Sequence, residues 1–152
     1  MTFNEISQKY RDYDPAFPSL MEGPNQNDLY KIIEKYHCVF PPSFIQFQLE
    51  ECHKTPMGDR AFDGFGWANS TLDPYMSLEG VVKDFRDLDY PKWLTPFKMD
   101  NGDFWCFDNR FSMTNNEFPV VIFDHNSNDI EKEPRYNWKN FMDWLADTFE
   151  ED

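Results

Sequence analysis

Residues 96–108 read PFKMDNGDFWCFD, and the turn chemistry in this stretch decides the fold. Asn101-Gly102 is the strongest short signal for a two-residue β-hairpin, because a type I′ turn needs a positive φ at both central residues. The sequence therefore predicts strands over residues 93–99 and 104–108. Residues 104–107, FWCF, are apolar at every position, which is typical of a strand covered on both faces of its sheet.

Further strands are predicted on either side of this hairpin. Residues 118–124, FPVVIFD, are nearly all apolar and predict a third strand. Residues 61–70, AFDGFGWANS, predict a short strand with a bulge or bend at its glycines. Pro91 and Pro96 confine the first strand of the hairpin towards an edge or an irregular position, since proline cannot donate to a ladder.

Apolar residues at helical spacing predict four helices. Asn27 or Asp28 caps the first, the second covers residues 43–52, the third follows Asp73-Pro74, and the last begins near Asn137. In chain order, their apolar residues are Leu29, Ile32, Ile33 and Tyr36; Ile45, Leu49 and Cys52; Leu78, Val81, Val82 and Phe85; and Trp138, Phe141, Trp144, Leu145 and Phe149. The elements predict an α+β fold, in which helices cover a mostly antiparallel sheet.

Length and proline content predict one folded domain behind an arm. The chain has 152 residues, enough for a single core without disulfides or metal. Residues 1–27 contain three prolines and one glycine, and we predict an extended arm there, with one short helical turn near Ile6 to Tyr10. Residues 28–152 are predicted to form the single α+β domain.

Charge limits the classes of partner. The formal net charge is −14 and the pI is about 4.4. Nucleic acid and anionic membranes are bound through Lys and Arg, so we expect neither as a partner. A basic protein surface is favoured instead, because complementary charge speeds encounter and rejects wrong partners. The simpler interpretation is that the charge keeps the chain in solution.

The cysteines and histidines do not match a zinc site. His37-Cys38 and Cys52-His53 are adjacent pairs, whereas structural zinc ligands are spaced so that both reach one ion. The three cysteines also have no framework spacing for disulfides. MTFNEISQKY has no apolar core typical of a signal peptide, and no apolar run reaches roughly 18 residues. We therefore expect a cytoplasmic protein.

Motifs for calcium, catalysis and cofactors fail as well. The calcium-like stretch that starts at Asp124 has Asp129 and Arg135 where an EF-hand loop needs Gly and Glu. The chain has no G-x-S-x-G nucleophile elbow, and Gly64-Phe-Gly66 lacks the third glycine of a dinucleotide loop. We therefore expect no metal, no cofactor and no enzymatic activity.

Four features, in this order, resemble the SUKH superfamily, which includes bacterial immunity proteins and a fungal regulator of cell-wall synthesis. They are two helices around a proline break (IIEKYHCVFPPSFIQFQL), the hairpin LTPFKMDNGDFWCFD, the strand VVIFDHN and the closing helix NWKNFMDWL. The resemblance covers residues 28–149. Two departures from the family pattern are Phe40-Pro41 in place of Leu-Pro, and AFDGFGWANS in place of a segment rich in Asn and Gly.

The resemblance implies a cytoplasmic, non-enzymatic protein that binds and neutralises a cognate polymorphic toxin. Such toxins are often nucleases with basic clefts, which an acidic face can occupy. Acids near the ends of the strands are the predicted contacts: Asp100, Asp103, Asp108, Asp124, Glu131 and Glu133. The alternative is a regulatory scaffold that acts through protein-protein interaction without a toxin.

Overall fold

The hairpin forms as its turn chemistry predicts. The computed structural model describes residue 5 and residues 25–51, 65–66, 68, 77–124 and 136–150. Strand β1, Leu94–Asp100, and strand β2, Asp103–Asp108, are joined by Asn101 with φ 52° and Gly102 with φ 85°. Both values are positive, so the predicted type I′ turn is confirmed.

A third strand completes an antiparallel sheet. Strand β3, Val120–Phe123, pairs with β2, and the strand order is β1-β2-β3. The predicted central position of β2 is therefore confirmed. Strand β1 lies on one side of it and contains a register shift between Pro96 and Lys98, which is the irregularity that its proline predicts.

Short segments pair with the outer side of each flanking strand. Phe65 forms a bridge with Lys98 of β1, and the Gly66 N–H donates to the Phe97 carbonyl at 2.8 Å. The strand predicted over residues 61–70 is thus present in its described part as a bridge. On the outer side of β3, Trp138 pairs with Val120, so it precedes the last helix and does not begin it.

Four helices surround the sheet in the described residues. They are α1, Gln26–Tyr36; α2, Pro42–Glu51; α3, Leu78–Asp87; and α4, Phe141–Glu150. Three have a side-chain cap at the N-terminus: Asn25 on α1, Ser77 on α3 and Asn140 on α4. The predicted caps Asn27 and Asp28 lie inside α1 and were wrong by two to three residues. The last helix begins four residues after the predicted Asn137.

The N-terminus of α2 is held from a distant part of the chain. Ser43 donates from its backbone N–H and from its hydroxyl to the carboxylate of Glu117, which lies 74 residues away. Glu117 follows a short 3₁₀ helix, Thr114–Asn116, between β2 and β3. A carboxylate satisfies the free N–H groups of a first turn and suits the positive end of the helix dipole.

Helices cover both faces of the sheet. One cluster contains residues from α1, α2 and α4 together with Phe97, Phe107 and Val120 of the sheet. We call it the first core. The second core contains Phe104, Cys106, Val121 and Phe123 from the opposite face, with Leu94, Val81 and Phe85. Alternate residues of β2 therefore enter different cores, as side chains of a strand must.

Helix α2 buries a different face from the predicted one. Phe44, Phe47 and Gln48 are fully buried, whereas Ile45 and Leu49 are only partly buried. The Phe44 ring lies 5.4 Å from Phe107 and 5.3 Å from Phe141, so it joins the sheet to α4. Large aromatic side chains bury the most area, and here they set the orientation of the helix.

The fold class is α+β, as predicted, with helices packed on an antiparallel sheet. The four predicted core residues of α3 are all buried. Most of residues 1–27 lie outside the described residues, and α1 begins within that range, at Gln26. The division into an arm and a domain stays a prediction.

Candidate functional site

Three of the predicted contact residues lie at the same end of the sheet. Asp100 and Asp103 are partners across the hairpin, at the last pair before its turn. Phe104 pairs with Phe123, so Asp103 and Asp124 are the next residues outward on β2 and β3. The antiparallel register therefore places Asp100, Asp103 and Asp124 in a row across three neighbouring strands. We call this row the acidic edge.

The geometry of the acidic edge sets like charges against each other. Two carboxylates directly opposite one another in an antiparallel pair destabilise it. Lys98 lies on the same strand face, two residues before Asp100, and its Nζ lies 4.4 Å from the centre of the half-buried Trp105 ring. One lysine beside two opposed aspartates leaves this end of the hairpin negative.

A groove lies beside the acidic edge, with a cavity volume of about 360 Å³. We call it the tip groove, because Gly102 of the hairpin turn lines it together with Met99 and Phe104. Its other wall is the end of α3 and the residues after it: Asp84, Asp87, Leu88 and Tyr90. An apolar floor with carboxylates at its rim suits a basic side chain with an aliphatic stem.

Among the groups at the tip groove, Asp87 has a partner. Lys83 lies one helical turn before it and forms an exposed ion pair with its carboxylate. The hydrogen bond that the Lys83 ammonium donates to Asp87 raises the pKa of Lys83, so this lysine stays charged in all ordinary buffers. Leu88 is 54% exposed, so it offers apolar contact area to a partner.

Asp108 lies at the opposite end of β2 and is buried, with 2% of its surface exposed. Its carboxylate accepts hydrogen bonds from Nε and Nη2 of Arg110 at 3.0 and 2.9 Å. The Arg110 guanidinium also lies 3.6 Å from the centre of the Trp93 ring. Asp108 therefore holds the chain after β2 in place, and the structure removes it from the surface predicted to meet a partner.

Two further predicted contacts, Glu131 and Glu133, lie outside the described residues. Most of the calcium-like stretch does too, as do Cys52 and His53 of the zinc alternative. In the parts of the chain that the structure describes, no three His, Cys, Asp or Glu side chains are grouped to hold a metal ion. Among the described residues, the acidic edge is thus a row of carboxylates along the strand ends.

The two described thiols lie away from any candidate chemistry. Cys38 belongs to the first core and Cys106 to the second. Burial raises the pKa of Cys38 to about 12 and raises the pKa of Cys106 well above its ordinary value. A nucleophilic cysteine needs a lowered pKa and solvent access, so these two thiols are core residues.

The tip groove was not predicted from the sequence. Asp84, Asp87 and Leu88 lie on the outward side and at the end of α3, where polar and apolar residues alike are common. Only the tertiary packing of α3 against the hairpin brings them beside Gly102. The sequence alone shows only that Leu88 follows a helix ending in aspartate, and its exposure is a finding of the structure.

Comparison with known protein families identifies the class of protein to which this fold belongs. The sequence model of the SUKH_5 family, described as SMI1-KNR4 cell-wall, matches residues 3–150. The chain therefore belongs to this family, within the SUKH superfamily. The match begins upstream of residue 28, where the resemblance seen in the sequence motifs starts.

Membership in the SUKH superfamily indicates a general functional class. Proteins of this superfamily are generally non-enzymatic immunity or regulatory proteins, and membership favours action through protein-protein interaction. A search of curated proteins gives no match. No helix in the described ranges combines the length and the apolar character needed to cross a bilayer.

Proposed function

We propose that this chain is a cytoplasmic immunity protein that binds a cognate polymorphic bacterial toxin and neutralises it by stoichiometric occlusion. The observation that carries the proposal is the acidic edge, where Asp100, Asp103 and Asp124 lie in a row beside the tip groove. The proposed toxin is a nuclease. Its cleft is built to hold phosphates, so a row of carboxylates can occupy the same positions.

Electrostatics and apolar contact have separate parts in this mechanism. The carboxylates of the edge steer a basic partner into place and repel acidic ones. The repulsion between Asp100 and Asp103 falls when cations of a partner come between them, so binding relieves a cost present in the free protein. Leu88 and the floor of the tip groove supply the apolar area that charge pairs alone do not.

The proposed contact set follows from these roles. It keeps Asp100, Asp103 and Asp124, adds Asp84 and Leu88 from the tip groove, and leaves out the buried Asp108. Glu131 and Glu133 remain proposed contacts, since they follow β3 and add two further carboxylates to the chain beyond Asp124. No residue in the set acts chemically on the toxin in this mechanism.

Co-expression with the product of the neighbouring gene tests the proposal. The wild-type chain should restore growth, and a variant with Asp100→Asn, Asp103→Asn and Asp124→Asn should lose rescue and bind at least about tenfold more weakly. Binding is measured by calorimetry with purified proteins, and folding is checked by circular dichroism.

The matched control has the same change in net charge at other exposed acids: Glu34→Gln, Glu50→Gln and Asp143→Asn. It should rescue like the wild type. If both triple variants fail equally, net charge and not the acidic edge explains binding. If the edge variant is folded and rescues fully, the acidic edge is not the interface.

A regulatory scaffold is the second candidate, and the cell-wall description of the matching family favours it. In that case the neighbouring gene product is not toxic when expressed alone. The acidic edge would then bind a basic protein that does not harm the cell when it is expressed without this chain. Expression of the neighbour alone, scored by growth, separates the two functions.

A further inference from the structure

Tyr90 lines both the tip groove and a second cavity. Carboxylates lie at the tip groove, whereas cations predominate among the charged residues of the second cavity. Its volume is about 350 Å³, and Lys35, Arg86 and Lys92 line it. The structure describes eight lysines and arginines in all, so three of the eight lie at one cavity of a chain with net charge −14. We call this cavity the basic pocket.

Arg86 is held in a fixed position at the basic pocket. Its Nε donates to the Tyr36 carbonyl at 3.2 Å and its Nη1 to the Leu94 carbonyl at 2.8 Å. Its Nη2 has no hydrogen-bond partner among the described residues. An arginine that is already ordered loses little entropy when its remaining N–H groups bind a ligand.

The other cations of the pocket are only weakly engaged. Lys35 lies 4.0 Å from Glu79, with both side chains about half exposed, and such pairs contribute little. Lys92 is exposed and forms no ion pair with another described residue. Asp89 is the one carboxylate among the residues that line the pocket, so the pocket keeps a positive balance.

Helix ends explain only part of this arrangement. Lys35 and Arg86 lie in the last turns of α1 and α3, where cations offset the helix dipole. Lys92 lies five residues beyond the end of α3 and has no such role. Two half-buried tyrosines, Tyr36 and Tyr90, add aromatic side chains to the pocket. The combination of cations and aromatic rings is that of a ligand pocket.

We propose that the basic pocket binds a small phosphorylated molecule with a planar ring, of the mononucleotide type. The Nη2 group of Arg86, which the two carbonyls leave unused, and the Lys92 ammonium can donate to the oxygens of a phosphate. The ring of the ligand packs against Tyr36 or Tyr90, as aromatic groups do. The volume of the pocket lies in the range of known small-molecule sites.

Nuclear magnetic resonance on the full chain tests this with three probes: adenosine monophosphate, inorganic phosphate and adenosine. The monophosphate should shift the amide signals of residues 35–37 and of Asp89, Tyr90 and Lys92, and should bind more tightly than either fragment. The double substitution Lys35→Gln and Lys92→Gln should weaken the affinity for adenosine monophosphate about tenfold, the effect expected of two partly exposed charge contacts.

The control pair Lys31→Gln and Lys139→Gln removes the same charge from exposed lysines that do not line the pocket, and should leave the affinity within about twofold of wild type. Equal weakening by both pairs would show non-specific attraction and overturn the proposal. The proposal would also be overturned if none of the three probes shifted these amide signals. Phosphate that binds as tightly as the monophosphate would show an adventitious ion only.

Discussion

Gly66 shows how one residue joins three elements of this fold. Its N–H donates to Phe97 of β1, and its carbonyl accepts from the buried side-chain amide of Gln48 on α2 at 2.7 Å. A Cβ atom at this position would lie 2.9 Å from the Leu78 Cα of α3. The absence of a side chain is what lets the segment fit between β1 and the helices.

Gly66→Ala is therefore expected to lower the free energy of unfolding by about 1–3 kcal/mol, because backbone atoms must move to admit the methyl group. Urea unfolding followed by tryptophan fluorescence measures this. Gly80→Ala on α3 is the matched control, and should be neutral or stabilising by up to about 1 kcal/mol, since alanine favours helix. An unchanged urea midpoint for Gly66→Ala would show that the backbone of residues 66 and 78 can move apart at little cost.

At the scale of the element, the hairpin combines a favourable turn with an unfavourable pair. Asn101-Gly102 adopts the type I′ turn that aligns the strands, and Asp100 lies opposite Asp103 directly beside it. A hairpin selected for stability alone would place opposite charges or uncharged residues there. We attribute the repulsive pair to the function proposed for the acidic edge.

Asp100→Asn should consequently raise the free energy of unfolding by about 0.2–1 kcal/mol at low salt. The gain should shrink at high salt, where charges at an exposed edge are screened. Asp28→Asn changes the net charge equally but removes a favourable acid from the first turn of α1, so it should lower stability. A loss of stability in Asp100→Asn would contradict the repulsion that we infer.

At the scale of the whole molecule, the sheet separates two cores, and among the described residues each contains one buried cysteine. Cys38 lies in the first core and Cys106 in the second. Helix α3 contributes to both, because Leu78 and Val82 join the first and Val81 and Phe85 the second. A shared helix and a shared sheet should make the two cores open together.

Thiol labelling with mass-spectrometric mapping tests this cooperativity. At neutral pH both thiols should stay protonated and unreactive in the folded protein, and in urea they should become reactive at the same midpoint. Above about pH 9 the unfolded thiols ionise, whereas Cys38 keeps its proton until about pH 12. The folded state then binds more protons, so its stability should fall as the pH rises through this window. Separate midpoints for Cys38 and Cys106 would show two independent cores.

Local signals predicted the parts of this fold that depend on neighbouring residues. The Asn101-Gly102 turn, the central strand and the apolar stripe of α3 were predicted because each is fixed by a few adjacent side chains. The buried face of α2 and the start of α4 were not. Their geometry depends on distant partners, such as Phe107 for Phe44 and Val120 for Trp138.

The residues of the candidate site divide in the same way, into those that neighbouring sequence could predict and those that depend on distant partners. Its acids could be predicted because they flank strands, and the register then aligned three of them. The burial of Asp108 depends on Arg110 and on the loop after β2, which sequence spacing does not reveal. Likewise, the tip groove and the basic pocket exist only where α3 packs beside the hairpin and α1.

The segments that pair with the outer strands limit how any partner can approach. The Gly66 N–H donates to the Phe97 carbonyl of β1, and the Asn137 side chain accepts from the Ile122 N–H of β3 at 2.9 Å. Backbone groups on both outer strands of the sheet are therefore already hydrogen-bonded. A partner protein therefore cannot easily bind by adding a strand of its own to this sheet. Recognition at the proposed acidic edge would therefore depend on side chains at the strand ends, so that single substitutions could change its specificity without changing the sheet.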